Sequence, residues 1–256
     1  ECGELRIATE QAGQALVAAS RTVDDRDRRV HSLHAYFLRP GDPMAPILYE
    51  VDRIRDGKSF TTRRVVAIQH GQAIFNLQAS FHVPEDGLTH QIPMPEVVHP
   101  ETLPDFKTRM EPYKHLLGEW YDRPRPIDIR YASGDPISRD AEPSLTQQVW
   151  LRADGVLPDD PTLHACIVTY ASDMTLLDTT TLPHGVRWND SSIQMASLDH
   201  AMWFHRPFRA DDWLLYDQIT PSTSNARGLA AGSIYTHDGH LAISVVQEGL
   251  IRRERT

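Results

Sequence analysis

The sequence is short of cysteine, of long apolar runs and of positive charge, and each shortage removes a class of function. Cys2 and Cys166 are the only cysteines, and neither lies in a CxxC or metal-ligand spacing. A disulfide framework is therefore not expected, and a reducing compartment fits. No stretch approaches the roughly 18 apolar residues that a membrane span needs, and the N-terminus has no basic segment leading into an apolar one. No membrane span is expected, and the cytoplasm is the expected location. Lys and Arg number 26 against 35 Asp and Glu, for a formal net charge of −9. General affinity for nucleic acid draws on clustered Lys and Arg facing phosphates, so no nucleic-acid partner is expected. The first residue is Glu1 rather than Met, so the numbering is expected to begin inside a longer chain, with a strand ahead of the first helix.

What remains is an ordinary globular composition, 40% hydrophobic and 24% charged over 256 residues. Its centre is the stretch from Met195 to Pro207, which reads as a long strand, expected over 192–205 and apolar on both sides. Alternation places Ile193, Met195, Ser197, Asp199, Ala201 and Trp203 on one face and Leu198, His200, Met202 and Phe204 on the other. A diverged copy, Ser32 to Pro40, also ends in Arg-Pro after aromatic residues, and the turn His70-Gly71 parallels Asp238-Gly239. From Arg39 to Arg206 is 167 residues and from Gly71 to Gly239 is 168, so one duplicated unit is the economical reading.

Residues 8–20 combine strong helix formers with many small side chains, which suits a helix packed closely on a sheet. Strands are expected at 30–39, 46–54, 60–69 and 73–82. Prolines at 84, 93, 95, 100, 104 and 112 then mark a connection, with a short helix around 112–119. Further strands are expected at 127–131 and 147–152, a helix over 160–177, and strands at 212–220, 226–236 and 241–252. The expected organisation is an N-terminal unit over 1–90, a proline-rich connection over 91–120 and a C-terminal unit over 121–256. Propensity alone gives an α+β class with an antiparallel sheet.

Four segments sharpen this: His31 to Asp42, Arg55 to Val65, Asp199 to Pro207, and Val246-Gln247-Glu248-Gly249. They resemble type II acyl-CoA thioesterases and lie in both halves of the chain. The resemblance implies a double hotdog, two repeats of a central helix wrapped by an antiparallel sheet. It implies hydrolysis of fatty acyl-CoA without metal or organic cofactor, with an Asp, a Thr or Ser, and a Gln holding the attacking water. It also implies a homo-oligomer, dimeric or larger and even-numbered. The family Asp stands in Tyr170-Ala171-Ser172-Asp173, the hydroxyl two before Asp199-His200 is Ser197, and the Gln is Gln247. One departure lies near the start, where Ala8-Thr9-Glu10 replaces the family's usual Gly-Gly-Gln.

Each assignment has a plainer rival. Asp173 falls on the apolar stripe of its helix, where a carboxylate is costly and its pKa rises; capping a loop or pairing with Arg would serve equally. Gln247 alternates with Leu241, Ile243, Val245 and Ile251, and could be a structural amide, although its counterpart in the first copy is Ala79. Ser197 could bond only to nearby backbone. It has no His at a recognisable elbow, which disfavours an acyl-Ser intermediate. Asp199 and His200 are neighbours in a strand and cannot both face one cleft. They are read as structural or supporting, and His34 and His205 as satisfied core or interface histidines. Lys58, Arg63, Arg64, Arg206, Arg209 and Arg227 are candidates for the phosphates of coenzyme A, one or two of the six being expected to reach them. The rival functions are a hotdog enoyl-CoA hydratase and a non-catalytic acyl-CoA-binding protein.

Overall fold

In the computed structural model, which describes residues 2–25, 27–133, 142–186, 190 and 192–253, helix α1 spans Cys2–Ser20. It runs unbroken through Ala8-Thr9-Glu10. Its small residues have the expected use, with Ala12, Ala15, Leu16 and Ala19 fully buried. Under it lie strands β1 (Arg29–Phe37), β2 (Leu48–Asp56), β3 (Phe60–Gln69) and β4 (Gln72–His82). The β3–β4 turn has positive φ at both His70 (49°) and Gly71 (73°), as a two-residue hairpin matched to strand twist requires.

The connection crosses onto the second half of the chain. Trp150 Nε1 donates to the Val98 carbonyl at 3.0 Å, and Trp213 Nε1 donates to Glu101 Oε1 at 2.7 Å. The single helix expected around 112–119 is instead a broken series: α2 (Phe106–Met110), α3 (Lys114–Leu117) and α4 (Glu119–Asp122). Pro112 and the positive φ of Gly118 (53°) account for the breaks.

The second half contributes β5 (Ile127–Tyr131), β6 (Thr146–Ala153), α5 (Pro161–Ser172), β7 (Ile193–Ser197), β8 (Asp199–Phe204), β9 (Leu214–Ser224), β10 (Arg227–Thr236) and β11 (Leu241–Arg253). Helix α5 starts at Asp160, whose carboxylate accepts from the Thr162 and Leu163 amides, with Pro161 in the first turn. Its expected end at 177 was too late, because the helix stops at Ser172 and a 3₁₀ segment, Leu177–His184, follows. The two long helices touch: a Cβ on Gly13 would lie 3.0 Å from the Cys166 carbonyl oxygen, so a larger residue there would push the helices apart by a few tenths of an ångström.

Among the described residues all strands form one sheet, ordered β2-β3-β4-β1-β8-β11-β10-β9-β6-β5, with β7 also on β11. The halves join where β1 pairs antiparallel with β8, from Ser32↔Trp203 to Tyr36↔Asp199. Under the repeat equivalence of Arg39 with Arg206, this ladder maps onto itself, with His34 opposite Ala201 at its centre. The two copies are thus related by a pseudo-two-fold axis through the sheet. No helix among the described residues is long and apolar enough to cross a membrane.

The strand expected over 192–205 is interrupted at Leu198. Both parts pair with β11, at Ser197↔Gly249 and at Ala201↔Val246. Four steps on one strand therefore match three on the other, which is a β-bulge. Asp199 Oδ1 accepts from the Glu248 amide at 2.7 Å, and the Leu198 amide donates to the Glu248 carbonyl at 2.9 Å. The bulge resets the alternation, so Ser197 and His200, expected on opposite faces, both point to the helix-covered side.

Candidate active site

Asp173 is the first residue after α5, in its C-cap position and 7% exposed. The end of that helix is pinned by Tyr216, whose hydroxyl donates to the Ser172 carbonyl at 3.2 Å. The Tyr216 ring fits because residue 232 is glycine; a Cβ there would fall 2.3 Å from Tyr216 Cε2. Ser197 comes from the last position of β7 and Gln247 from the middle of β11. Gly249, opposite Ser197, lets Leu177 pack against the strand, since a Cβ would meet Leu177 Cδ1 at 2.2 Å.

The three side chains named from sequence converge. Ser197 Oγ donates to Asp173 Oδ1 at 3.1 Å, Gln247 Nε2 donates to the same oxygen, and Gln247 Nε2 donates to Ser197 Oγ at 2.8 Å. Both bonds to the carboxylate end on Oδ1, which leaves Oδ2 able to take a proton. Burial raises the Asp173 pKa from 3.8 to about 6, against the lowering effect of the Gln247 and Ser197 hydrogen bonds. Its place at a helix C-terminus, the negative end of the dipole, acts in the same direction as burial.

A second carboxylate was missed. Asp178 opens the 3₁₀ segment, and although part of its side chain still reaches solvent, burial and then the Asp173 charge push it up to about 8. The Asp173 charge disfavours ionisation of Asp178, the direction expected where two carboxylates share a site. The segment is locked by a buried amide network. Gln147 Nε2 donates to Gln218 Oε1 at 3.0 Å, Thr179 Oγ1 donates to the same oxygen at 3.0 Å, and Gln218 Nε2 donates to Thr175 Oγ1 at 2.6 Å.

Asp199 faces away from this group and serves the bulge. His34 and His205, expected as satisfied core or interface histidines, are both exposed and so not in the core: His34 meets the Trp203 ring edge-on at 5.1 Å across the β1–β8 ladder, and His205 Nε2 lies 2.9 Å from Ser244 Oγ. His200 is fully buried beside Ser172, its Nε2 at 2.9 Å from Ser172 Oγ.

Further along the ladder from Ser197 a cavity of about 280 Å³ opens between Ile193 and Ile251, with Thr181 on its wall and His184, Arg227 and Arg253 around it. Ile193 is four residues from Ser197, about 13 Å at strand spacing. Of the six cations proposed from sequence, Arg227 alone lines this cavity. Arg63 is 1% exposed and bonded to Asp56 and Thr22, which removes it from any ligand. Arg64 pairs with Asp52, Arg209 with Asp211 and Asp159, and Arg206 donates to the Leu241 and His90 carbonyls. Lys58 is exposed at the β2–β3 turn.

Two family models match the chain, one for acyl-CoA thioesterases over residues 136–250 and one for the acyl-CoA thioesterase N-terminal domain over residues 11–82. Human acyl-coenzyme A thioesterase 8 is 42% identical over 252 residues, spanning 94% of this chain and 78% of its own length. The chain belongs to the acyl-CoA thioesterase family. Among solved structures, an acyl-CoA thioesterase II (TesB2) from Mycobacterium marinum superposes with a TM-score of 0.83 at 44% identity, covering 98% of this chain and 91% of that one. A hot dog fold protein from Alicyclobacillus acidocaldarius, at a TM-score of 0.75 and 18% identity over 96% of this chain and 86% of its own, shares the fold. The architecture of this thioesterase is accordingly a double hotdog.

Proposed function

We propose that this acyl-CoA thioesterase hydrolyses fatty acyl-CoA by direct attack of a water held at Asp173, Ser197 and Gln247. The observation that carries the reading is the convergence of these three side chains on a carboxylate raised to about 6. Asp173 Oδ2 takes a proton as the water oxygen bonds to the thioester carbonyl carbon. The tetrahedral intermediate then expels the sulfur, the C–S bond breaks, and the proton on Asp173 goes to the departing thiolate. The products are a fatty acid and the free thiol of coenzyme A. Ser197 and Gln247 hold the water and the carboxylate in register; positioned proton transfer of this kind contributes about 10² to 10⁴ in rate. No metal or organic cofactor enters this scheme.

The cavity between Ile193 and Ile251 has apolar wall enough for an acyl chain or pantetheine arm, and Arg253 together with Arg227, which also pairs with Glu248 at 2.9 Å, supplies charge for phosphates. A hydratase would need an Asp and a His presented together to substrate. His200 does lie on the inner side of the sheet, but it is fully buried and tied to Ser172, so it is not presented. The relatives' names also favour hydrolysis over both rivals.

Three wider expectations are proposed with it. The units over 1–90 and 121–256 fold together across the β1–β8 ladder, the connection over 91–120 strapping them. The protein self-associates into even-numbered assemblies, which sedimentation at micromolar concentration tests. It works in the cytoplasm, to which the buried free thiol of Cys166 is suited. The deciding experiment is free-thiol release from a panel of acyl-CoAs. Release by the wild type with a loss of about 10² to 10⁴ in Asp173→Asn supports the scheme. Retention of more than about a third of turnover by folded Asp173→Asn excludes Asp173 as base.

A further inference from the structure

The Gln247 amide has two ends, and the scheme above uses only one. Its nitrogen donates to Asp173 and Ser197, while its Oε1 is sealed from solvent and makes no hydrogen bond of good geometry. His200 Nδ1 is in the same condition. The ladder brings the two together: Val245↔Met202 and Val246↔Ala201 are paired, and Gln247 and His200 are the next residues along. The bulge beyond them turns both side chains inward. The amide is close enough to favour protonation of the ring, although burial dominates and lowers its pKa to about 4. At neutral pH the imidazole is uncharged and carries one N–H.

The position of that proton follows from the partners. Because Gln247 Nε2 must face the Asp173 carboxylate, Oε1 must face His200, and an amide oxygen only accepts. Nδ1 is therefore the protonated nitrogen and Nε2 the acceptor. Ser172 Oγ lies 2.9 Å from that Nε2 and within donating distance, 3.1 Å, of the Thr169 carbonyl; with Nε2 the acceptor, its hydroxyl turns from the carbonyl to the ring. Met202 Sδ, at 3.5 Å from Ser172 Oγ, is the remaining polar neighbour.

We propose that His200 is a positioning residue that fixes the orientation of Gln247: His200 Nδ1–H donates to Gln247 Oε1 and so holds the amide nitrogen on Asp173 and Ser197. The relay runs from Ser172, beside Asp173 in sequence, through His200 and Gln247 back to Asp173, closing a ring around the carboxylate. Without it the amide can turn end for end and present an acceptor to a carboxylate, where it repels. The first copy of the repeat shows what the ladder does when no relay is needed. The equivalent inner pair there is Leu33↔Ala79, both fully buried.

The inference rests on the proposed roles of Asp173 and Gln247, and its test separates the two. Turnover, KM and the pH profile are measured on the full chain for His200→Leu, Gln247→Ala, their double and Asp173→Asn. The double rebuilds the Leu33 and Ala79 pair that the same ladder already accommodates, which favours a folded protein. The expected result is a kcat about 10- to 100-fold lower in His200→Leu with KM little changed, a smaller loss than removing a catalytic donor outright. The acidic limb, set by Asp173, should move above about 6, because its carboxylate loses a held hydrogen bond. The double should be no slower than Gln247→Ala alone, since a residue acting through Gln247 has nothing left to position.

Losses that multiply in the double would overturn the proposal, as would a His200→Leu protein with wild-type kcat and pH limb. Should Asp173→Asn keep its activity, the catalytic reading fails first and the relay with it. If His200→Leu does not fold, the decision passes to His200→Asn, whose amide nitrogen reaches the Nδ1 position, against His200→Gln, whose nitrogen reaches Nε2. Greater activity in Asn than in Gln supports the relay, and the reverse order overturns it.

Discussion

Two copies of one unit meet at the β1–β8 ladder, and they differ sharply at equivalent positions of that unit. At the inner positions where the second copy carries His200 and Gln247, the first carries Leu33 and Ala79. Where α5 ends in Ser172 and the buried Asp173, α1 ends in Ser20 and an exposed Arg21. Between helix and next strand the first copy has eight residues, 21–28, and the second has twenty, 173–192, enough to add the 3₁₀ segment with Asp178. The fold therefore does not require the polar set. The first copy keeps the apolar answer to the same packing problem, while the second buries a carboxylate, an imidazole and an amide at a cost that structure alone does not repay.

This comparison is broken most directly by removing the carboxylate. If Asp173 accepts the water's proton, Asp173→Asn should lose about 10² to 10⁴ in turnover while acyl-CoA affinity is kept or slightly improved, because a buried charge near an anionic ligand is gone. Turnover and calorimetric affinity on one preparation decide it. Gln247→Ala, which places the first copy's residue in the second, should cost about 10² or more in kcat. A thermal scan should show the fold intact. A large drop in melting temperature with unchanged turnover per folded molecule would return Gln247 to the role of a structural amide.

Much of this was legible before the structure. Asp173 and Gln247 stood out as polar residues on otherwise apolar faces, and the paired Arg-Pro motifs gave the repeat. The rest was hidden for physical reasons. Residues 193–204 are apolar on both faces, so a one-residue bulge at Leu198 leaves no mark in the alternation, and the side His200 faces could not be read. Asp178 was hidden because the apolar stripe of α5 continues past Ser172 into residues that are not helical. Arg63 looked like the other motif cations, since sequence carries no sign that Asp56 and Thr22 would enclose it. Arg253 and His184 lie in no motif and are joined only by the cavity.

The two copies should also differ in how their stability responds to pH. Burial raises Asp173 from 3.8 to about 6, so the folded protein holds this proton more tightly than the unfolded chain. Ionising it opposes folding, with a cost absent below about 4 and fully present above about 6, corresponding to about 3 kcal/mol. Asp173→Asn should accordingly raise the melting temperature at pH 7 to 8, with the gain shrinking to nothing as the pH falls to about 4. Melting curves across that range give the measurement. A gain that grew toward acid pH would mean that the folded state favours the ionised carboxylate.

The smallest effect tests the reverse exchange. Ala79 is 1% exposed and faces Leu33 in the first copy's ladder, in the place Gln247 occupies in the second. Ala79→Gln puts an amide there with no imidazole and no carboxylate to receive it. Its donors and acceptor would be buried unpaired, at about 1 to 3 kcal/mol, and the added volume would strain the contact with α1. Turnover per folded molecule should stay at the wild-type value, because the substituted position lies in the copy without the proposed site. Urea unfolding with a lowered midpoint, unchanged slope and unchanged kcat is the expected outcome. A stable Ala79→Gln protein would show that the ladder accepts a glutamine in either copy. Gln247 would then need no partner to explain its burial, and the contrast between Leu33 with Ala79 and His200 with Gln247 would lose its energetic basis.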